Sequence, residues 1–296
     1  MTTPYISLVT PAFNAEGTVT ATLESVRAAK TPTTEYIFVD GASTDRTVEL
    51  VRSYGDLADV LVSEPDQGQY HALAKGLAMA RGEVQGWINA DDMIMPWTLK
   101  LVEKLFRKYE DIDWITGLPA FLDGSGTLVK LYTKPAAYPQ RLVRNGWFDR
   151  AYGGYLQQEN MFWRRSLYER AGGLDLSLSL AADFALWTAF ADFAELVPVD
   201  VPLAAFRELP GEQRSSRQAI QYDAEVRSVQ ASKQPIGWAW RAAVARGRPV
   251  GALARLLITA PASLITYDRI RRDWKIVRRR RSISRQSLST LFDIRG

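Results

Sequence analysis

The chain contains no cysteine and a single histidine, His71, in 296 residues. Disulfides and thiolate metal centres are thereby excluded, together with imidazole-cluster metal sites and most nucleophile–histidine–acid triads. The lack of cysteine fits a reducing cytoplasm. No apolar run is long enough to cross a bilayer. A spanning helix needs about 20 mostly apolar residues, and the best stretch, 250–267, is broken by Arg255 and Pro261. The opening Met-Thr-Thr-Pro-Tyr has neither the basic segment nor the apolar core of a secretory leader. Internal repeats and low-complexity tracts are missing too.

Charge is unevenly spread. The formal net charge is +4, yet residues 241–296 hold 14 Lys or Arg against 3 Asp, leaving 23 basic and 30 acidic residues in 1–240. An acidic body therefore carries a basic tail. With 47% apolar residues, the length suits one large α/β domain or two small ones.

The first hundred residues alternate strand and helix patterns. Ile6 to Thr10 is an apolar run halted by Pro11, after which Val19, Leu23 and Val26 recur at helical spacing. Tyr36 to Val39 ends at Asp40-Gly41; Ser43 or Thr44 can cap the next helix, with Asp45 in its first turn. Val60 to Val62 is a third strand, Gln69 to Ala80 a helix stopped by Gly82, and Val84 to Ile88 a fourth strand. This order predicts a largely parallel sheet with right-handed crossovers. Beyond about residue 115 the periodicity loosens. Tyr132, Tyr138, Trp147, Tyr152 and Tyr155 are scattered through a Gly- and Pro-containing stretch, as a binding surface or as padding for a small core. Residues 161–193 read as helical, 215–234 as a polar helix, and 237–296 as apolar stretches alternating with Arg clusters. The boundaries expected are 1–115 for a first α/β half, 116–215 for the second half of the same domain, and 216–296 for a helical basic extension.

The sharpest chemical signal lies at Gln85-Gly86-Trp87-Ile88-Asn89-Ala90-Asp91-Asp92. A buried strand ends here in two adjacent carboxylates, where charge is costly without a purpose. Pro11, Phe13 and Asn14 follow the first strand, Asp40 the second, and Glu64 and Asp66 the third. In a parallel sheet all of these converge on the edge where open α/β folds bind ligands. Asp and Asn also start turns and cap helices, but four coincident strand ends favour a site. Mg²⁺ and Mn²⁺ take carboxylate and phosphate oxygens, often with only one or two protein carboxylates. Such a cation neutralises a departing diphosphate, which points to a nucleotide-linked donor. His71, near a helix start, reads as a solvated helix residue.

Val9-Thr10-Pro11-Ala12-Phe13-Asn14, Val39-Asp40-Gly41-Ala42-Ser43-Thr44-Asp45, Asp66-Gln67-Gly68 and Asn89-Ala90-Asp91-Asp92 together resemble family 2 glycosyltransferases of the GT-A fold. The likeness continues through Gln157-Gln158-Glu159-Asn160-Met161-Phe162-Trp163-Arg164-Arg165, Gly172-Gly173-Leu174-Asp175 and Ala182-Asp183-Phe184-Ala185-Leu186-Trp187, roughly residues 4–215. It implies a Rossmann-like, mostly parallel mixed sheet flanked by helices, with nucleotide-sugar binding in 1–115 and acceptor binding and the catalytic base in 116–215. It also implies inverting transfer of a hexosyl or N-acetylhexosaminyl group from a nucleotide diphosphate, most often UDP, to a hydroxyl. On this resemblance Pro11, Phe13, Asn14 and Glu16 line the base pocket, Asp40 serves the uracil or ribose side, and Asp66 and Gly68 approach the nucleotide. Asp91 matches the last acid of the family's Asp-x-Asp motif and is the expected ligand of Mn²⁺ or Mg²⁺, with Asp92 supporting or sharing that role. Asp183 matches the catalytic base, and Gln158, Glu159 and Trp163 fall near the acceptor; the alternative for Glu159 is a buried acid paired with Arg164 or Arg165. Two positions depart from the pattern. Asn89 replaces the motif's first acid, and Leu209 stands where many relatives place a metal-reaching histidine.

The resemblance leads to an expectation of a nucleotide sugar donor and a carbohydrate or lipid-linked acceptor, in cell-surface polysaccharide or glycolipid synthesis. The Arg-rich stretch 250–285, with Trp274 among its basic residues, suits an anionic membrane surface. A cytoplasmic enzyme, peripheral at the inner membrane face, follows as the expected location. A nucleotidyltransferase is the alternative enzyme, but it asks for a basic phosphate loop, and Pro11 to Gly17 contains no Lys or Arg. A nucleic-acid-binding module built on the tail is the non-enzymatic alternative; the acidic body argues against it, and no nucleic acid partner is expected.

Overall fold

The computed structural model describes residues 3–149, 155–209, 218–233 and 259–282. The first half alternates as the sequence predicts: β1 (Ile6–Ala12), α1 (Val19–Ala29), β2 (Thr34–Asp40), α2 (Thr47–Ser53), β3 (Val60–Ser63), α3 (Gln69–Met79) and β4 (Val84–Trp87). Next come β5 (Met93–Ile94), α4 (Thr98–Lys108), β6 (Trp114–Thr116), β7 (Ala120–Leu122), β8 (Leu128–Leu131) and α5 (Gln140–Arg144). A 3-10 turn at Gln158–Asn160 leads into β9 (Met161–Arg164), α6 (Arg165–Arg170) and α7 (Ala182–Phe193). The order closes with β10 (Val197–Pro198), β11 (Ala204–Arg207), α8 (Ala219–Ala231), β12 (Thr259–Asp268) and β13 (Asp273–Ser282).

Seven strands form the main sheet in the order β10-β6-β9-β4-β1-β2-β3. β1 pairs in parallel with β2 and β4, and β2 with β3. β9 alone runs antiparallel, between β4 and β6. A four-stranded sheet, β5-β11-β7-β8, stands beside it. Every residue of β1 and β2 is buried, as expected of parallel strands covered on both faces. Side-chain alternation sends Leu8, Tyr36 and Phe38 into one core with α1 and α4, and Val9, Ile37 and Val39 into the other with α3 and α7. α3 lies close on β1: a Cβ at Gly76 would stand 2.4 Å from Val9 Cγ1, so only glycine fits there.

Trp87, Trp114, Trp163 and Trp187 are all essentially buried. Trp187 stacks on Trp87 at 5.4 Å and on Trp114 at 5.9 Å, and meets Trp163 edge-on at 5.7 Å. Burial of each ring contributes roughly 4–6 kcal/mol by area, an upper figure. The cluster anchors α7 to β4, β6 and β9. Of the aromatics in the loop region, Tyr138 and Trp147 are buried and Tyr155 is exposed; Tyr152 lies outside the described residues.

Two expectations need correction. Residues 161–193 begin with a strand rather than a helix, because Met161–Arg164 is a short apolar run inserted between β4 and β6; periodicity does not separate such a run from a buried helix. The basic extension is not helical throughout. α8 is a helix, but 259–282 fold as an antiparallel hairpin pairing Thr259 with Ser282 and Asp268 with Asp273. β-branched Thr266, Ile265, Ile276 and Val277 favour strand, and Pro261 opposes helix. The remaining parts of 250–285 lie outside the described residues.

Candidate active site

The C-terminal ends of β1, β2 and β4 open into one cavity of about 900 Å³. Its walls are Pro11 to Ala15 after β1, Gly41 after β2, Asp66, Gly68 and Gln69 at the start of α3, and Asn89 to Asp91 after β4. Gly17, Thr18, Ala72, Leu209 and Gln218 complete it. Convergence of the strand ends, read from sequence as a conditional, is therefore what the fold builds.

The loop after β1 is stapled to the loop after β2. The Asn14 amide donates to Ser43 Oγ (2.8 Å), the Thr44 amide to Asn14 Oδ1 (2.9 Å), and the Ala15 amide to Thr47 Oγ1 (2.7 Å). Glu16 and Asp45 exchange roles in the same staple: the Glu16 amide donates to Asp45 Oδ2 and the Arg46 amide to Glu16 Oε2, each at 3.0 Å. Burial works against ionisation of Asp45, but bonds from Thr47 and the Glu16 amide outweigh it and hold the carboxyl below its usual range. Asn14 takes φ +48°, a conformation Asn tolerates better than most residues. Phe13 is left 64% exposed at the cavity wall.

Asp40 and Glu16 do not line the cavity. Asp40 is wholly buried: it accepts from the Ser43 amide (3.0 Å), from the Ser43 hydroxyl and from Ser63 Oγ (2.7 Å). It shapes the turn that presents Gly41, as an acid starting a turn does. Gly41 in turn admits Asp66, whose Oδ2 would lie 2.7 Å from a Cβ there. Asp66 Oδ1 accepts from the Gly68 amide at 2.7 Å, and Gly68 supplies φ +119° for the entry into α3. His71 sits in that first turn, accepting from the Gln67 amide at 3.2 Å.

The two adjacent carboxylates are not equivalent. Asp92 is fully buried and held by the Arg207 amide on Oδ1 (2.9 Å) and by Asn89 Nδ2 and Gln158 Nε2 on Oδ2 (both 3.3 Å). Burial, then the charges of Asp91 and Glu159, push its pKa well above the ordinary carboxylate value. Asp91 faces the cavity and is only partly buried. Burial raises its pKa, against its own amide and the nearby charge of Arg207. A desolvated carboxylate facing the cavity, bonded by no other side chain among the described residues, has the donor chemistry of a Mg²⁺ or Mn²⁺ ligand. No three His, Cys, Asp or Glu side chains cluster as a metal cage among the described residues. A cation here would have to complete its coordination with phosphate oxygens and water, as Mg²⁺ commonly does. Leu209, on the wall, adds no ligand.

Asp183 lies in the first turn of α7 and accepts from Tyr70 Oη at 2.9 Å. Burial raises its pKa, opposed by Tyr70 and by the Phe184 amide. It does not line the cavity itself. It is joined to it through Tyr70, whose neighbour Gln69 does and donates to Asn89 Oδ1 at 2.7 Å. Two residues not anticipated from sequence complete this corner: Tyr70, and Glu225 of α8. Glu225 accepts from the amides of Leu180 (2.8 Å) and Ala181 (3.0 Å) and so fixes the start of α7. Neither belongs to a recognisable motif; Tyr70 stands two residues past Gly68, the sole sequence hint.

The residues expected near the acceptor divide. Gln158 is partly exposed, and its Oε1 is buried without a hydrogen-bond partner. Trp163 is a core residue, 0% exposed among the tryptophans, with Nε1 donating to Gln85 Oε1 at 3.3 Å. Its strand, not its motif, decides its direction. Glu159 is 2% exposed, and the pairing with Arg164 or Arg165 is not seen: Arg164 binds Glu83 and Arg165 meets Glu169.

A sequence profile described as Glycosyl transferase family 2 matches residues 7–163, more than half of the chain. The protein belongs to this family. A PGL/p-HBAD biosynthesis glycosyltransferase of Mycobacterium tuberculosis is 29% identical over 121 residues, 40% of this chain and 47% of that protein. The putative teichuronic acid biosynthesis glycosyltransferase TuaG of Bacillus subtilis is 31% identical over 104 residues, 34% of this chain and 40% of its own. The matched region thus spans about half the length, or less, of these curated relatives. In fold, the chain resembles S. aureus TarS 1-349 solved with UDP-GlcNAc, at TM-score 0.59 and 18% identity over 77% of this chain and 71% of that one. It also resembles the mannosyltransferase PcManGT of Pyrobaculum calidifontis, solved with GDP-Man and Mn²⁺, at TM-score 0.53 and 20% identity over 86% and 79%. The architecture is the GT-A fold: a mostly parallel sheet flanked by helices.

Proposed function

We propose that the protein transfers a sugar from a nucleotide diphosphate, a UDP-sugar in the first instance, to an acceptor hydroxyl with inversion, in the assembly of a cell-surface polysaccharide or glycolipid. The observation that carries this reading is Asp91, a desolvated carboxylate at the end of β4, facing a cavity walled by the β1 loop and the start of α3. Relatives solved with UDP-GlcNAc and with GDP-Man and Mn²⁺ support a nucleotide sugar as donor.

In this reading Pro11, Phe13 and Asn14 receive the base and ribose, while Asp66 and Gly68 flank the nucleotide. The diphosphate lies toward Asn89 and Asp91, with the first amides of α3 nearby, where a helix N-terminus favours an anion. Asp91 holds a divalent cation and Asp92, pinned by Arg207, Asn89 and Gln158, keeps that strand end in shape. The cation, when bound, neutralises charge developing on the leaving diphosphate. Asp183 removes the acceptor proton as attack proceeds, since a hydroxyl is a weak nucleophile until a base takes its proton. Tyr70 holds that carboxylate by a 2.9 Å bond. Gln158 Oε1 is a buried acceptor left without a hydrogen-bond partner, a cost of about 1–3 kcal/mol, and it lies outside the cavity lining.

The test is a screen of nucleotide sugars for metal-stimulated hydrolysis or transfer. Release of UDP or GDP from a sugar donor is the expected result. Release of pyrophosphate from sugar phosphate plus nucleoside triphosphate would instead identify a nucleotidyltransferase.

A further inference from the structure

The β12–β13 hairpin contributes no residue to the cavity and requires its own account. It is firmly docked. Ala262, Leu264 and Ile265 of β12 are buried; the Asp200 amide donates to the Ile265 carbonyl and Thr266 Oγ1 to Asp200 Oδ2, both at 2.9 Å. Tyr109 Oη donates to the Trp274 carbonyl at 2.7 Å, and Asp273 pairs with Lys104 and Lys108. β13 is consequently the outer strand, with Arg278 and Arg279 exposed.

The tip combines apolar and basic groups. Asp268 Oδ1 accepts from the amides of Ile270 (3.0 Å) and Arg271 (3.1 Å), closing the turn. Ile270 is left 95% exposed, between the exposed Arg269, Arg271 and Arg272. Tyr267 and Ile276, 45% and 38% exposed, share one face by the strand register. Both acids of the hairpin are already taken by lysines, Asp268 by Lys275 at 2.8 Å and Asp273 by α4. Arg269, Arg271 and Arg272 meet no acid among the described residues. A charged outer strand discourages edge pairing with another chain, which accounts for arginines along β13 but asks nothing of an isoleucine at the tip.

We propose that this tip docks on an anionic membrane surface, with Ile270 and Tyr267 entering the headgroup boundary and the tip arginines meeting lipid phosphates. Exposed apolar residues set among uncompensated cations match that interface on both counts. A nucleic acid would use the arginines but gain nothing from Ile270. No helix among the described residues is long and apolar enough to cross a membrane, so the contact is peripheral.

The full chain should co-sediment with vesicles containing phosphatidylglycerol, less so at high salt, and not with pure phosphatidylcholine. Each basic residue near such a surface is worth about a fivefold change in binding, so Arg271→Ala with Arg272→Ala should weaken it about 25-fold. Ile270→Ser, which leaves the charge unchanged, should weaken it about tenfold. UDP binding by these variants should be unchanged, which keeps a failure here separate from a failure of the donor reading. Absence of sedimentation, or equal sedimentation with both vesicles, would overturn the proposal. So would binding that needs the arginines but is indifferent to Ile270→Ser, the signature of a general polyanion site.

Discussion

Asp183→Asn should lower transfer by about 10²–10⁴-fold, the usual contribution of a general base, with donor binding unchanged. The substitution keeps an oxygen for Tyr70 to donate to while it removes the basic charge. Its second expected effect is on stability. Burial raises the Asp183 pKa in the folded protein, so the folded state binds its proton more tightly than the unfolded chain does. Stability contributed by that proton is present at acid pH and is lost as pH rises through the folded pKa. Asn imitates the neutral form at every pH. The variant should therefore have a melting temperature at neutral pH equal to or above that of the wild type, and a flatter dependence on pH. A loss of transfer with a large fall in melting temperature would point to a structural role instead. In the wild type, the acid limb of the rate profile should fall above the ordinary carboxylate range. Calorimetry and steady-state kinetics on the same samples make this comparison.

Asp91→Asn should abolish stimulation by Mn²⁺ and reduce turnover of a nucleotide sugar by about 10²–10³-fold, the scale seen when charge stabilisation at a departing group is removed. Asp91 is the cavity-facing carboxylate at this strand end, while Asp92 is already saturated by three donors. Asp92→Asn should behave differently. It leaves one oxygen for the Arg207 amide but sets its own amide NH2 against the donating amides of Asn89 and Gln158, so its main effect should be a lower melting temperature. Stimulation retained in Asp91→Asn would remove this residue from the metal site.

The division between what the sequence discloses and what it hides follows from physical range. Asp91 is legible because an apolar strand ending in charge is costly at that point in the chain, and only local pattern is needed to see it. The same holds for Phe13, Asn14, Asp66 and Gly68, which the fold brings to the same cavity. Asp40 looks identical in sequence, yet Ser43 and Ser63 use both of its oxygens, and the second of these partners lies 23 residues away. Trp163 belongs to a motif, but its direction is fixed by β9 slotting between β4 and β6, a long-range pairing that no local period encodes. Tyr70 and Glu225 act on Asp183 across separations of 113 residues and on the α7 start from α8. The hairpin is hidden for a different reason: its Arg clusters mask a strand pairing that becomes plain only when β12 is seen packed against β10 and the start of β13 tied to α4.

Titration of the wild-type protein with UDP, with and without Mn²⁺, tests the central claim most directly. A cation held by Asp91 and completed by the diphosphate requires reciprocal coupling: Mn²⁺ should tighten UDP binding and UDP should tighten Mn²⁺ binding by the same factor. Mn²⁺ alone should bind weakly. Equal Mn²⁺ affinity with and without nucleotide, or UDP binding indifferent to the metal, would contradict the account.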